Sequence, residues 1–343
     1  MFLGIELSLI WAVLIAVAVF LYVALDGFDL GVGILFPFAK DSKERDQMQA
    51  AIAPVWDGNE TWLVLGGGGL FAAFPKAYAA LMPALYLPIG IMLTALIFRG
   101  VAFEFRHHGR KSGKRFWTAA FAGGSIAAAA AQGFVLGGFI QGGTFVNERF
   151  AGDAFDWLTP FSVLVATSMV LGYALLGAAW LVFKSEGPLF ERAREWAKRL
   201  VLLVALAMGA VSLATLGVDP RVTARWGVSM TEVDWPKFIT LTPLPLAAGV
   251  VCFFLWRGVL GRAHLSPYLL TVLLFLIGYL GLAISLWPYI VPFAMTPADA
   301  AAADNALGLM LAGALPMLPI ILGYTAYVYW LFRAKIPADG AYH

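Results

Sequence analysis

The chain has 343 residues, of which 61% are apolar and 13% are charged, with a formal net charge of +2 and a mean hydropathy of +0.81. A soluble domain has about 25% charged residues, so the composition excludes that class and indicates an integral membrane protein. The single cysteine, Cys252, excludes a framework of internal disulfides. We therefore expect one membrane domain over residues 1–343, with little room for a soluble domain.

Nine apolar segments are long enough to cross a bilayer, which takes about 20 residues of α-helix each. The sequence therefore predicts an all-α membrane protein with nine transmembrane helices. The first segment is too long for the core of a signal peptide and has no basic residue ahead of it, so we interpret it as a retained span. The predicted spans lie near residues 7–37, 53–74, 77–98, 116–140, 158–183, 200–217, 238–256, 265–291 and 305–332.

The distribution of Lys and Arg predicts the orientation of the chain. Of the 23 basic residues, 18 follow the odd-numbered spans. Since cytoplasmic loops are enriched in Lys and Arg, we predict an external N-terminus and a cytoplasmic C-terminus. An even number of spans would remove this asymmetry. Within the cytoplasmic loops, residues 184–199 are typical of an amphipathic surface helix.

Two pairs of acidic residues interrupt the first two predicted spans. Asp26 and Asp29 belong to the first span, and Asp57 and Glu60 belong to the second. Each pair has i,i+3 spacing, so its two carboxyls lie on one face of a helix. Acidic residues inside a bilayer are costly and commonly mark a proton or ion route. These four residues are the candidates for function.

The spacing of the spans predicts that the four carboxyls lie together. Asp29 and Glu60 are both about 12 Å from the predicted cytoplasmic ends of their helices, at 1.5 Å per residue. Neither span contains Lys or Arg, and burial and mutual repulsion favour protonated carboxyls. The cluster could therefore exchange protons near neutral pH. Alternatively, these acids cap helices or bind backbone groups near the neighbouring glycines.

Small residues predict close contacts between helices. Gly27 with Gly31, and Gly133 with Gly137, have the spacing that lets two helix backbones approach. The run of four glycines at 66–69 would also accept a nearby backbone. Packing explains these glycines better than a phosphate-binding loop, which is implausible at membrane depth.

The histidines lie outside every predicted span, so we expect no heme ligated by histidine in this chain. The sequence also shows no Cys/His metal cluster, no nucleophile–base pair and no nucleotide motif. We therefore predict no catalytic residue, no metal site and no nucleic-acid partner. The four histidines are His107, His108, His264 and His343.

Four motifs resemble one known family. They occupy residues 26–33 (DGFDLGVG), 53–63 (APVWDGNETWL), 71–75 (FAAFP) and 98–106 (FRGVAFEFR). Together they resemble subunit II of the cytochrome bd-type quinol oxidases, in particular their cyanide-insensitive branch. The similarity extends through most of the chain and is densest in its first half.

The resemblance implies an architecture and a partner. Subunit II of that family has two four-helix bundles plus one helix, and pairs with subunit I as a heterodimer in the bacterial cytoplasmic (inner) membrane. Subunit I would hold heme b and heme d and oxidise the quinol. A small single-helix accessory subunit is a further possible partner, and some members bind a quinone in subunit II.

The resemblance also implies roles for the acids. Asp57 matches the residue assigned to a cytoplasmic proton path, and Asp26 and Asp29 match the other motif acids. Glu60 is the weakest match, because relatives can have Gln there. The alternative function is a stand-alone proton-coupled transporter or channel, for which we find no inverted repeat. A pure assembly scaffold would leave the carboxyls without a purpose.

Overall fold

The computed structural model describes residues 5–108, 111–228 and 233–337. Its helices account for nearly all of the regular structure, and one two-stranded antiparallel ribbon, β1 (Phe145–Val146) with β2 (Arg149–Phe150), lies between α5 and α6. The helices are α1 (Leu7–Leu35), a 3-10 turn (Phe36–Phe38), α2 (Ser42–Ala50), α3 (Trp56–Ala73), α4 (Pro75–His108), α5 (Lys111–Gln141), α6 (Pro160–Lys184), α7 (Gly187–Leu216), α8 (Pro220–Arg225), α9 (Trp235–Leu241), α10 (Pro243–Leu260), α11 (Ser266–Leu286), α12 (Pro297–Ala300) and α13 (Asp304–Leu331).

The all-α membrane class is confirmed. Within the described residues, eight helical segments are long and apolar enough to cross a bilayer. The second predicted span corresponds to α3, an 18-residue helix outside that set. Two acids and four consecutive glycines lower its hydropathy. The count of nine crossings, and their division into two four-helix bundles plus one helix, therefore stay predictions.

Several helices extend beyond the predicted spans. The helix predicted in the 184–199 loop is present from residue 187, but it forms the first turns of α7 instead of lying on the membrane surface, so that part of the prediction is wrong. Pro188 lies in the first turn of this helix, where backbone N–H groups have no partner within the helix, so a proline removes no hydrogen bond. Leu189 and Ala193 are buried in these first turns, so the apolar face continues without interruption into the membrane segment.

Helices α1 and α6 form the centre of the molecule. Both contribute heavily to the largest buried apolar cluster, together with α4, α5 and α7. At their crossing, a Cβ added to Gly31 would collide with the backbone of α6, and one added to Gly177 would collide with α1. The predicted contacts at Gly133 and Gly137 are confirmed too, because added Cβ atoms would meet the α6 backbone at 2.3 and 2.6 Å.

Helix α13 lies at the edge of the molecule, against α1 and α3. The Trp11 indole donates a 3.0 Å hydrogen bond to the Leu307 carbonyl near one end of α13. Near the other end, buried Lys184 donates to the carbonyls of Phe332 and Ala334. These contacts hold α13 so that its last turns face the first turn of α3.

Candidate functional site: a buried carboxyl cluster

Arg99 connects two of the predicted acids inside the protein. It lies on α4 and is 1% exposed. Its Nη1 atom is 3.1 Å from Oδ1 of Asp26 on α1 and 2.7 Å from Oε1 of Glu60 on α3. The guanidinium also lies 5.9 Å from the ring centre of Trp56. One cation therefore binds carboxyls from two different helices.

The expectation that the acids have no basic neighbour is wrong, because Arg99 binds two of them. That expectation placed Arg99 in a loop after a span ending near residue 98. The structure continues α4 to His108, so Arg99 points into the helix bundle. Gly124 on α5 lies against Arg99, and a Cβ there would come within 3.1 Å of the Arg99 amide nitrogen. The small residue lets α4 and α5 approach closely at this level.

Asp29 belongs to a second part of the site, which consists of Asp29, Asn59 and Tyr329 and which we call the second arm. It is completely buried, and its Oδ2 accepts a 2.6 Å hydrogen bond from Nδ2 of Asn59. The same amide nitrogen is 3.3 Å from the Leu25 carbonyl. The Asn59 oxygen in turn accepts a 2.9 Å hydrogen bond from the Tyr329 hydroxyl on α13. Asn59 therefore joins α1, α3 and α13.

A small cavity adjoins this second arm. Its volume is about 30 Å³, and Tyr329 and Lys184 are among its lining residues. A cavity of this size has room for one water molecule. The cavity lies at the end of the molecule that the distribution of Lys and Arg predicts to be cytoplasmic.

Asp57 lies at the outer edge of the site rather than inside it. It is exposed in the first turn of α3, whereas Glu60, one turn further along, is 29% exposed. The prediction that the four carboxyls form one cluster is therefore confirmed for Asp26, Asp29 and Glu60, whereas Asp57 lies outside it at the surface. The i,i+3 spacing places Asp57 and Glu60 on one face of α3, and only Glu60 reaches Arg99.

The buried charges are unequal in number. One guanidinium binds Asp26 and Glu60, Asp29 is buried one turn further along α1, and one oxygen of each aspartate is buried without a hydrogen-bond partner among the described residues. Full ionisation would leave an excess of negative charge in a buried site, and binding a proton relieves that repulsion. The site is thus chemically suited to hold and release protons.

Sequence reasoning missed three residues of the site, namely Arg99, Asn59 and Tyr329. Arg99 was visible in the motif at 98–106, but its position was read as the end of a span. A basic residue inside a membrane helix that packs near a helix with acids is the signal that could have identified it. The involvement of Asn59 and Tyr329 depends on contacts between distant helices.

His264 is the histidine whose side chain the structure describes. His264 lies between α10 and α11, with Nδ1 3.4 Å from the Val182 carbonyl and 3.3 Å from the Lys335 ammonium. This environment does not fit an axial heme ligand. The side chains of His107 and His108, and all of His343, lie outside the described residues. The expectation that this chain ligates no heme by histidine stays a prediction.

Fold and site together define a multi-span α-helical membrane protein with a buried ionisable cluster. The family model described as "Cytochrome bd terminal oxidase subunit II" matches residues 7–332. Cytochrome bd-I ubiquinol oxidase subunit 2 of Escherichia coli K12 is 30% identical, over 97% of this chain and 96% of that protein. Cytochrome bd ubiquinol oxidase subunit 2 of Bacillus subtilis is 28% identical, over 95% and 96%. The chain therefore belongs to the family of cytochrome bd oxidase subunit II.

A solved structure has the same fold. The bd oxidase of Geobacillus thermodenitrificans aligns with a TM-score of 0.76 and 19% identity, covering 95% of this chain and 99% of that chain. Membership in the family makes this protein a multi-pass subunit of a bacterial respiratory oxidoreductase. It implies a complex that contains hemes and a partner subunit I.

Proposed function

We propose that this chain is the non-heme-ligating subunit II of a quinol:oxygen oxidoreductase. In this proposal it supports the heme-bearing subunit I and provides a path for protons from the cytoplasm to the site of oxygen reduction. Ubiquinol is named as the substrate of the Escherichia coli relative, and a quinol is the substrate proposed here. The heme b and heme d of the complex would belong to subunit I.

The observation that supports a proton path is that the solvent exposure of the carboxyls decreases from Asp57 through Glu60 to Asp26. Asp57 is exposed, Glu60 is 29% exposed, and Asp26 is completely buried beyond Arg99. A proton entering at the surface of α3 would therefore meet carboxyls at increasing depth. An unbound proton in low-dielectric protein is prohibitively costly, so bound positions lower the barrier. Each carboxyl can accept and release a proton.

A second group of contacts supports a place for Asp29 in the proposed path. The small cavity beside Tyr329 leads to Asn59 and then to Asp29 through two hydrogen bonds. Asn59 does not titrate, so this arm would hold Asp29 in place while Asp29 itself exchanges the proton. We include Asp29 in the proposed path on this basis.

The exposed face of α3 supports contact with a partner. Asp57, Gly67 and Gly68 lie on this face, and a Cβ on either glycine would meet nothing within 4 Å. Val64 and Phe71 on the same helix are 72% and 61% exposed. A carboxylate exposed to lipid is costly, so covering of this face by subunit I would place Asp57 at the interface. A stand-alone transporter would leave it facing lipid.

The test is substitution of Asp57 in the assembled oxidase. Asp57→Asn keeps the size and shape of the side chain but cannot titrate, so we expect an intact heme spectrum and a turnover per heme reduced at least tenfold; positioned proton-transferring groups typically contribute about a hundredfold or more. Asp57→Glu should retain more activity, because it keeps the carboxyl with about one added methylene.

A matched control is available in another helix. Asp304 is an exposed acid in the first turn of α13, and Asp304→Asn should leave turnover unchanged. If Asp57 serves only to stabilise the N-terminus of α3, Asn should be tolerated and Glu should disturb assembly. Normal turnover of a fully assembled Asp57→Asn oxidase would remove Asp57 from the proton path.

A further inference from the structure

A row of three buried polar side chains lies inside the helix bundle, next to the carboxyl cluster. Gln132 on α5 stands between Tyr173 on α6 and Tyr22 on α1. The Tyr173 hydroxyl donates to Oε1 of Gln132 at 2.6 Å, and Nε2 of Gln132 donates to the Tyr22 oxygen at 2.6 Å. The three residues are at most 8% exposed. None of them belongs to the proposed proton path.

These hydrogen bonds have a direction. A tyrosine hydroxyl has one hydrogen, and a glutamine amide donates only from its nitrogen. Because Tyr22 accepts from Gln132, its own hydrogen remains available for another acceptor. Tyr22 is four residues before Asp26 on α1, about one helical turn, so its hydroxyl lies on the same face of the helix as the Asp26 carboxyl.

Asp26 has an oxygen that needs a donor. Its Oδ1 accepts from Arg99 at 3.1 Å, whereas Oδ2 is buried with no partner at regular hydrogen-bond distance among the described residues. A buried polar atom left unpaired costs about 1–3 kcal/mol. The reverse orientation of the Gln132 amide would make Tyr22 donate to Gln132 and would leave Asp26 without this donor. The observed orientation is therefore the one that can pair the orphaned oxygen.

We propose that Tyr22 is a positioning residue that donates a hydrogen bond to Asp26, and that Gln132 and Tyr173 set the direction of this bond. The charged and titratable groups facing Asp26 are Arg99 from α4, Glu60 from α3, Tyr22 and Asp29 from α1, Tyr173 from α6 and Tyr329 from α13. The proposal rests on the proposed function for its consequence, which is that Asp26 is held in a fixed orientation for proton exchange.

The test uses infrared difference spectra of the assembled oxidase, with the Asp26 carboxyl and carboxylate bands assigned by their loss in Asp26→Asn. Hydrogen bonding weakens a C=O bond, so Tyr22→Phe should move the carboxyl band to higher frequency. Tyr173→Phe should move it less, in the same direction. Tyr279→Phe is the control: the Tyr279 hydroxyl on α11 donates to the Ala16 carbonyl on α1 at 2.8 Å, and its loss should leave the band in place.

Turnover per heme tests the role of Asp26 in the proton path, whereas the infrared bands test the hydrogen bond from Tyr22 to Asp26. A hydrogen bond to a charged group changes an equilibrium by about tenfold or more, so we expect Tyr22→Phe to slow turnover by about tenfold and Tyr279→Phe to leave it unchanged. Normal turnover of Asp26→Asn would remove Asp26 from the proton path, while a band shift in Tyr22→Phe would still support the hydrogen bond. Unmoved Asp26 bands in assembled Tyr22→Phe would overturn the inference. If Tyr22→Phe fails to assemble, Tyr173→Phe is decisive by the same criterion.

Discussion

Arg99 should be the most sensitive residue of the site for stability. It is 1% exposed and binds Asp26, which is completely buried, and Glu60, which is 29% exposed. Removing one partner of a buried ion pair costs about 3–5 kcal/mol, because the remaining charge stays buried without compensation. Glu60 can turn toward the surface, so we expect Arg99→Gln to cost about 3 kcal/mol, the lower end of that range. This is a large part of a typical stability of about 5–15 kcal/mol.

The effect can be measured as the fraction of assembled, heme-containing complex that survives graded heating in detergent. A loss of about 3 kcal/mol changes an equilibrium more than a hundredfold, so assembly should fall sharply. Combining Arg99→Gln with Asp26→Asn should recover at least half of the loss, since the double variant no longer buries the Asp26 carboxylate without its arginine. A double variant that is no more stable than Arg99→Gln would refute this reasoning.

Arg106 is a matched control on the same helix. It is also 1% exposed, but its acidic partner Asp46, at 2.7 Å, is 36% exposed. Water can solvate Asp46 when the arginine is removed, so Arg106→Gln should cost less than Arg99→Gln. Equal losses in the two variants would show that burial of the acidic partner does not decide the cost.

Three further results are expected. Gly31→Ala should weaken assembly, because its Cβ would strike the α6 backbone, whereas Gly209→Ala on α7, with nothing within 4 Å of its Cβ, should be neutral or stabilising; equal stability of the two variants in the heating assay would contradict this. A cysteine in place of exposed Ala298 should react with an impermeant reagent from outside intact cells, and protection there would reverse the predicted topology. Hydrogen bonds from Arg221 hold the pKa of Asp219 below its ordinary value of 3.8. A carboxyl with a lowered folded-state pKa stabilises the fold above its unfolded pKa and loses that contribution as the pH falls through the folded value. Hydrogen exchange of residues 219–228 should thus increase below about pH 3.8, and Asp219→Asn should lack this pH dependence.

The positions of the helices follow mainly from local sequence. Hydropathy identified eight membrane segments that the structure confirms, because a bilayer requires a long apolar helix at each crossing. Their ends were less predictable. Basic residues at 99–115 looked like a loop, yet α4 and α5 continue through most of this stretch, since charged residues are compatible with a helix that extends beyond the bilayer.

The close contacts of α1, α5 and α6 were also predictable. Gly27, Gly31, Gly133 and Gly137 are separated by one helical turn within each pair, and such spacing indicates a surface on which backbones can meet. The sequence alone did not show which helix each pair contacts. The structure places both pairs against α6, a choice that depends on how all the helices pack.

The amino-acid sequence by itself determined the class of the protein and the acids of its site, because both depend on residue type and on spacing within one helix. Only the tertiary structure decided how those acids are arranged. Arg99 comes from a third helix to bind Asp26 and Glu60, and Tyr329 comes from the last helix to hold Asn59 against Asp29. Asp57 remains at the surface although it shares a motif with Glu60. These contacts join residues up to 270 positions apart. The periodicity of one helix shows which of its faces is apolar, but it does not specify which distant helix will pack against that face.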